Sequence, residues 1–186
     1  MKMTENTFKV KPYSRADLRK LANHIRKWLK ITSPMFPVVL LLDGLTQIDE
    51  SFNYVIEEDS EFPEGVHAFW APLERVMHIR ETVYDNACAG KGRDRMTIAH
   101  EFGHLLLHTD QYPVWGRQMS RGNILPFESS EWQAKAFAAE LLLPADQISV
   151  TDVAEDLAVK YGVSVEAAEV QLNVIRKERR ETMQEK

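Results

Sequence analysis

The stretch that decides the fold is RMTIAHEFGHLLLH, residues 95–108, which contains the pattern H-E-x-x-H. On an α-helix, residues four apart lie on the same side, so His100 and His104 would project together. Two imidazoles held in this way can fill two corners of a tetrahedral zinc site. Glu101 lies beside them and would be placed to accept a proton from a water molecule at the metal.

The neighbouring residues indicate that this helix is buried. Gly103 lowers helix stability by about 1 kcal/mol relative to alanine, so we expect another part of the chain to pass close to the backbone there. A five-residue pattern also occurs by chance in unrelated helices. Catalytic zinc needs three protein ligands, and the interpretation therefore depends on a third ligand elsewhere. Small and apolar residues recur here at helical spacing: Met96, Ala99, Gly103, Leu106 and Leu107.

A second decisive stretch is SEWQAKAFAAELLLP, residues 130–144. Ser130 and Gln133 have the spacing of a capping box, which predicts a helix that begins there. Pro144 predicts its end. Small residues and then leucines form one face of this helix, so we expect it to pack tightly against another helix.

Glu131 heads that face and could reach a metal held by the neighbouring helix. The competing interpretation is that its carboxylate only complements the helix dipole. Glu128 precedes the helix, and Glu140 lies nine residues further on, about half a turn away around the helix axis. Both are therefore poorer candidates for the third ligand.

Composition limits the class of protein. The chain has 186 residues, of which 44% are hydrophobic and 27% charged, as expected for a single globular domain. A net charge of −5 argues against nucleic acid or an anionic membrane as the main partner. The only cysteine, Cys88, excludes an internal disulfide framework, and we expect it to be a small buried thiol. Residues 1–13 lack the apolar core of a signal peptide, so we expect a soluble cytoplasmic protein.

The remaining chain predicts an α+β domain with a small mixed or antiparallel sheet. We expect residues 1–12 to form an extended arm. Further helices are predicted from Ser14 to about Lys30, from Val38 to about Gln47, over residues 153–161 and from Ser164 onward, and strands over 52–58, 67–71 and 75–83.

Three further segments have open interpretations. The strand at 75–83 alternates apolar and polar residues, and it is either an edge to which an extended peptide adds or an ordinary half-buried strand. Residues 109–129 lack periodicity, and a loop of this length is usually either functional or disordered; Trp115, Arg117 and Arg121 could border a substrate groove. Residues 158–164 superficially match a helix-turn-helix, but the following helix carries Glu166 and Glu169, so we expect no direct nucleic-acid binding.

Residues 79–144 resemble the ImmA/IrrE family of bacterial metallopeptidases. The resemblance is carried by Ile79-Arg80-Glu81 with Tyr84, by residues 93–104 and by residues 131–144, in the order found in that family. It implies a zincin-like fold, Zn²⁺ as cofactor, His100, His104 and Glu131 as zinc ligands, and Glu101 as the catalytic acid/base. Residues 1–186 would form one metallopeptidase domain, with 79–144 as its catalytic core and 150–186 as a C-terminal helical segment.

The resemblance also implies a function and a partner. Family members are typically encoded beside helix-turn-helix repressors of mobile elements, stress responses or toxin–antitoxin-like pairs, and some cleave that repressor. We therefore expect a zinc endopeptidase, without the separate sensor domain of the multi-domain members. The alternative is a zinc-bearing module that binds a regulator without cutting it. An oxyanion donor would also be needed, and His78, Tyr84 and His108 are all candidates.

Overall fold

A computed structural model describes residues 7–111 and 124–184 of this chain. These residues form a mixed α+β fold, which confirms the predicted class. The helices are α1 (Arg15–Trp28), α2 (Val38–Ile48), α3 (Glu81–Cys88), α4 (Gly92–His108), α5 (Ser130–Leu142), α6 (Ala154–Tyr161) and α7 (Val165–Gln184). The strands are β1 (Asn53–Glu57), β2 (Ala68–Ala71) and β3 (Val76–Arg80).

The sheet has the order β1-β3-β2, with β3 in the centre. Strand β1 pairs with β3 in parallel, and β2 pairs with β3 antiparallel. The sheet is therefore mixed, and the strand just before the zinc-motif helix is not an edge. Among the described residues, the edge strand that contacts α4 is β2.

The predicted strand over residues 75–83 was too long, because it ends at Arg80 and α3 begins at Glu81. The side chain of Asp59 accepts hydrogen bonds from the backbone N–H of Thr82 at 3.1 Å and from its hydroxyl at 2.7 Å. A carboxylate at this place satisfies a backbone donor in the first turn of α3 and favours the helix. Helix α3 ends at Cys88, whose side chain is exposed, so the prediction of a buried thiol was wrong.

Helices α4 and α5 pack closely, as the glycine in the zinc motif predicted. A Cβ atom on Gly103 would lie 2.8 Å from Cα of Ala134 and 3.1 Å from its Cβ. The N-cap of α5 is Ser129, whose side chain accepts a hydrogen bond from the N–H of Trp132. The predicted capping box at Ser130 and Gln133 was therefore wrong by one residue, and these two side chains are available for other contacts.

Residues 7–13 lie against the segment that leads into α5. Lys9 and Ser129 form an antiparallel bridge, and the N–H of Val10 donates to the carbonyl of Glu128 at 2.9 Å. The N–H of Phe8 donates to the hydroxyl of Ser130 at 3.1 Å. This part of the predicted arm is thus hydrogen-bonded to the domain.

Helices α6 and α7 are joined at Gly162, which has a φ of 64°. This left-handed conformation suits glycine and ends α6. The side chain of Arg176 donates to the carbonyls of Val150 and Asp152, so this part of α7 holds the loop before α6 in place. None of the described helices combines the length and apolar character needed to span a bilayer.

Candidate metal centre and groove

The structure brings together His100 and His104 from α4 and Glu131 from the first turn of α5. The two Nε2 atoms lie 3.0 Å apart. The Glu131 carboxylate lies 3.3 Å from Nε2 of His100 and 3.2 Å from Nε2 of His104. Within residues 7–111 and 124–184, these side chains form the one group of three or more with suitable donor atoms within 4.8 Å of one another.

The chemistry of this donor set fits zinc. Two imidazole nitrogens and one carboxylate oxygen form a known set of protein ligands for catalytic zinc, which keeps its remaining position open. Burial by itself raises the pKa of the Glu131 carboxyl, but the adjacent imidazoles of His100 and His104 hold it well below its ordinary value. The carboxylate is therefore ionised and able to act as a ligand at neutral pH.

Glu101 lies on the same helix but outside this group of three. Its carboxylate accepts a hydrogen bond from the backbone N–H of Trp70, in β2, at 2.9 Å. The edge strand therefore positions the side chain that the sequence suggested as acid/base. Burial is the main reason why the pKa of Glu101 is raised to about 7, close to the pH at which a proton acceptor and donor works best.

A groove of about 490 Å³ contains all four of these side chains. Helix α4 contributes Arg93 and Thr97, and the segment that leads into β2, together with β2 itself, contributes residues 65–70. Glu131 and Lys135 line the groove from α5. The arrangement offers space beside the candidate metal site, with the edge strand β2 along it.

The other acidic candidates are held elsewhere. Glu128 forms an ion pair with Lys9 at 3.0 Å. Glu140 is completely buried and forms ion pairs with Arg15 at 2.8 Å and Arg19 at 2.9 Å. Neither side chain belongs to the metal-competent group.

The three candidates for an oxyanion donor are in different environments. His78 contacts Glu57 at 2.7 Å, and its ring stacks on Phe69 with the centroids 4.5 Å apart. Tyr84 stacks on Tyr54, and neither His78 nor Tyr84 lines the groove. His108 does line the groove. The remaining predicted groove residues, Trp115, Arg117 and Arg121, lie outside the described part of the chain.

Two buried polar side chains beside the site were not predicted to act together. His108 is 1% exposed and Gln133 is 0% exposed. Nε2 of His108 lies 3.0 Å from Oε1 of Gln133, and its Nδ1 lies 3.1 Å from Nδ1 of His104. Burial lowers the pKa of His108 to about 4, so its imidazole is neutral at physiological pH. The sequence feature that could have indicated this contact is a glutamine within a buried helix. Gln133 had instead been assigned to a capping box.

Comparison with known proteins gives a family and a fold. The sequence profile of the peptidase M78 family, described as the IrrE N-terminal-like domain, matches residues 54–173, more than half of the chain. One similar solved structure, a Mycobacterium tuberculosis transcriptional regulator, has a TM-score of 0.54 and 18% sequence identity. The alignment covers 82% of this chain and 45% of that protein, so this chain spans less than half of its length. At this identity the likeness concerns the fold alone. The comparison with curated proteins gave no significant match.

Proposed function

This chain belongs to the peptidase M78 family of IrrE N-terminal-like domains, and we propose that it is a zinc-dependent endopeptidase. The observation that carries the proposal is the convergence of His100, His104 and Glu131 in one groove with the buried carboxylate of Glu101. A metal site without a neighbouring acid/base would serve for binding alone. The combination supplies the groups that metal-assisted hydrolysis of a peptide bond requires.

In this proposal His100, His104 and Glu131 hold the zinc ion. When bound, zinc supplies Lewis-acid polarisation of a water molecule and of the peptide carbonyl. The α4–α5 packing fixes the ligand side chains, because two ligands come from one helix and the third from the other. Close contact at Gly103 therefore determines how far apart the ligands lie.

Glu101 acts as the proton carrier. Its carboxylate accepts a proton from the attacking water as the new carbon–oxygen bond forms, and it delivers that proton to the nitrogen as the carbon–nitrogen bond breaks. The hydrogen bond from the N–H of Trp70 keeps the carboxylate in one orientation. The same contact joins the acid/base to the edge strand.

The substrate backbone would lie along β2. An extended peptide can add to an exposed strand edge through backbone hydrogen bonds, and residues 65–70 line the groove. The sequence left residues 75–83 open between such an edge and an ordinary half-buried strand; because β3 is central in the sheet, we assign the proposed role to β2.

The proposed substrate class is a helix-turn-helix transcriptional regulator encoded near this protein. Its support is the resemblance of the two motifs to a family with members that cleave such regulators. The protein itself carries −5 net charge, which suits a role in acting on a regulator rather than on DNA.

The test compares wild type, Glu101→Gln and His100→Ala for metal content and for cleavage of the neighbouring regulator by mass spectrometry. We expect one zinc in wild type and in Glu101→Gln, and much less in His100→Ala. Cleavage should fall by at least ~10²-fold in Glu101→Gln, as for the loss of an acid/base. His78→Ala, outside the groove, is the matched histidine control and should keep both zinc and cleavage.

Unchanged cleavage by Glu101→Gln would contradict the mechanism. If zinc-loaded wild type cuts nothing and forms a stable complex with the regulator, the non-cleaving interaction module is the correct function.

A further inference from the structure

A continuous chain of hydrogen-bonding groups leads from the metal site to residues 7–13. Its members are His104, His108, Gln133 and the backbone carbonyls of Lys11 and Phe127, and we call it the relay. The inner side chains are fully enclosed, with His108 at 1% and Gln133 at 0% exposure. In such an environment each polar atom needs a partner, and the arrangement of donors and acceptors becomes fixed.

The outer end of the relay sets the orientation of the Gln133 amide. Its Nε2 donates to the carbonyl of Lys11 at 2.8 Å and to the carbonyl of Phe127 at 2.7 Å. Both partners are pure acceptors, so the amide nitrogen, and not the amide oxygen, must face them. The oxygen Oε1 therefore faces His108, at 3.0 Å from its Nε2.

This orientation selects one tautomer of His108. Because Oε1 of Gln133 accepts only, Nε2 of His108 must carry a hydrogen and donate. In a neutral imidazole the other nitrogen, Nδ1, is then an acceptor. It lies 3.1 Å from Nδ1 of His104, which must be the donor of that pair.

The tautomer of His104 follows in turn. With its hydrogen on Nδ1, His104 presents the lone pair of Nε2 towards Nε2 of His100 and the carboxylate of Glu131, at 3.0 and 3.2 Å. A metal-ligating histidine commonly has its ring orientation and tautomer fixed by the hydrogen bond that its other nitrogen makes. Here the acceptor is a second histidine instead of a carboxylate or a carbonyl.

We infer that His108 and Gln133 are positioning residues for the metal site, which transmit the hydrogen-bond direction set by the carbonyls of Lys11 and Phe127 to Nε2 of His104. This inference rests on the proposed zinc site. It also gives residues 7–13 a role, because the Lys11 carbonyl is one of two groups that orient the amide. Phe8 contributes a ring contact with His108, edge to face, with the centroids 5.9 Å apart.

The experiment measures the zinc dissociation constant by chelator competition for wild type and three relay variants. His108→Leu removes the hydrogen-bond acceptor of His104. We expect zinc affinity to fall by roughly 10–100-fold, as for the loss of other residues that hydrogen-bond to a metal ligand. His108→Asn can place its side-chain oxygen where Nδ1 was, and should bind zinc about tenfold more tightly than His108→Leu. Gln133→Leu should also weaken binding although it touches no ligand.

The matched control is Phe137→Leu. It changes a fully buried side chain on α5 and removes no hydrogen bond. It separates loss of the relay from loss of packing, since it should lower the melting temperature and leave zinc affinity unchanged. Wild-type affinity in His108→Leu, or equal losses in His108→Leu and His108→Asn, would overturn the inference. If His108→Leu does not fold, Gln133→Leu provides the test instead. Wild-type zinc affinity in Gln133→Leu would then overturn the inference.

A second readout is the nitrogen NMR spectrum of the histidine side chains in wild type. We expect His108 with its hydrogen on Nε2, both with and without zinc, because Gln133 sets it. A hydrogen on Nδ1 instead would overturn the relay. If wild type binds no zinc at all, the proposed function fails, while this spectrum still decides whether the relay exists.

Discussion

Two helix pairs, α4–α5 and α6–α7, differ in what their packing provides. In α4–α5, the glycine at position 103 lets the backbone of Ala134 approach closely. The pair then holds the three metal-competent side chains within 4.8 Å of one another. In α6–α7 the buried residues are mainly apolar, and no metal-competent group was found there within the described residues.

The difference lies in the side chains beside the close contact, because α4 and α5 each bring metal-competent side chains to theirs. The second pair instead supports the first. A side chain at Gly92, in the first turn of α4, would collide with the backbone of Val163 and Ser164 between α6 and α7. Changes in the two pairs should therefore separate into effects on metal binding and effects on stability alone.

The largest expected effect breaks the α4–α5 pair at its proposed metal ligand. Glu131→Gln should weaken zinc binding by more than the roughly 10–100-fold expected when a residue that hydrogen-bonds to a metal ligand is lost. It should also lower the melting temperature of the zinc-loaded protein, because metal binding stabilises the fold. Glu128→Gln is the control, since Glu128 pairs with Lys9 and should keep full zinc affinity. The reverse result would mean that the wrong carboxylate has been assigned.

The next effect tests the close approach itself. Gly103→Ala adds a Cβ atom 2.8 Å from Cα of Ala134, and a backbone atom cannot move aside cheaply. We expect the free energy of unfolding to fall by about 1–3 kcal/mol, together with weaker zinc binding, measured by denaturation and chelator competition. Gly44→Ala in α2 meets no atom within 4 Å and should be neutral or stabilising by up to about 1 kcal/mol. A stabilised Gly103→Ala would show that the helices can separate freely.

The smallest effect concerns the α6–α7 pair. Arg176→Ala removes hydrogen bonds to the carbonyls of Val150 and Asp152, at 2.9 and 3.1 Å. We expect the free energy of unfolding to fall by about 1 kcal/mol, with unchanged zinc affinity. Lys177→Ala, on the same helix, removes only an exposed ion pair at 3.9 Å and should change little. A loss of zinc in Arg176→Ala would show that the two pairs are coupled.

The sequence predicted best what depends on local spacing. Helical periodicity was enough to expect α4 and α5, and Gly103 indicated that another part of the chain passes close to α4. The two motifs also identify His100, Glu101, His104 and Glu131, which line one groove in the structure. Measurements of zinc binding and of regulator cleavage test the chemical roles of these side chains.

Features that depend on distant contacts were missed. The first three residues of helix α3, 81–83, were assigned to the preceding strand, and its first turn is stabilised by Asp59, a residue more than twenty positions earlier. Gln133 was assigned to a cap, whereas its amide binds carbonyls from two other segments. In both cases a partner that decides the structure, Asp59 or Lys11, is remote in sequence, and no local pattern reveals it.

The pairing of residues 7–13 with the start of α5 has a consequence for folding. Phe8 and Ser130 are 122 residues apart, so their contact closes a very long loop. The free-energy cost of closing a loop grows slowly with its length, by about 0.6 kcal/mol for each doubling, but contacts between distant residues slow folding. During synthesis the Lys11 carbonyl can bind the Gln133 amide only after α5 has been made. We therefore expect the high-affinity zinc site to mature after most of the chain has been synthesised, with metal capture as one of the last steps of folding.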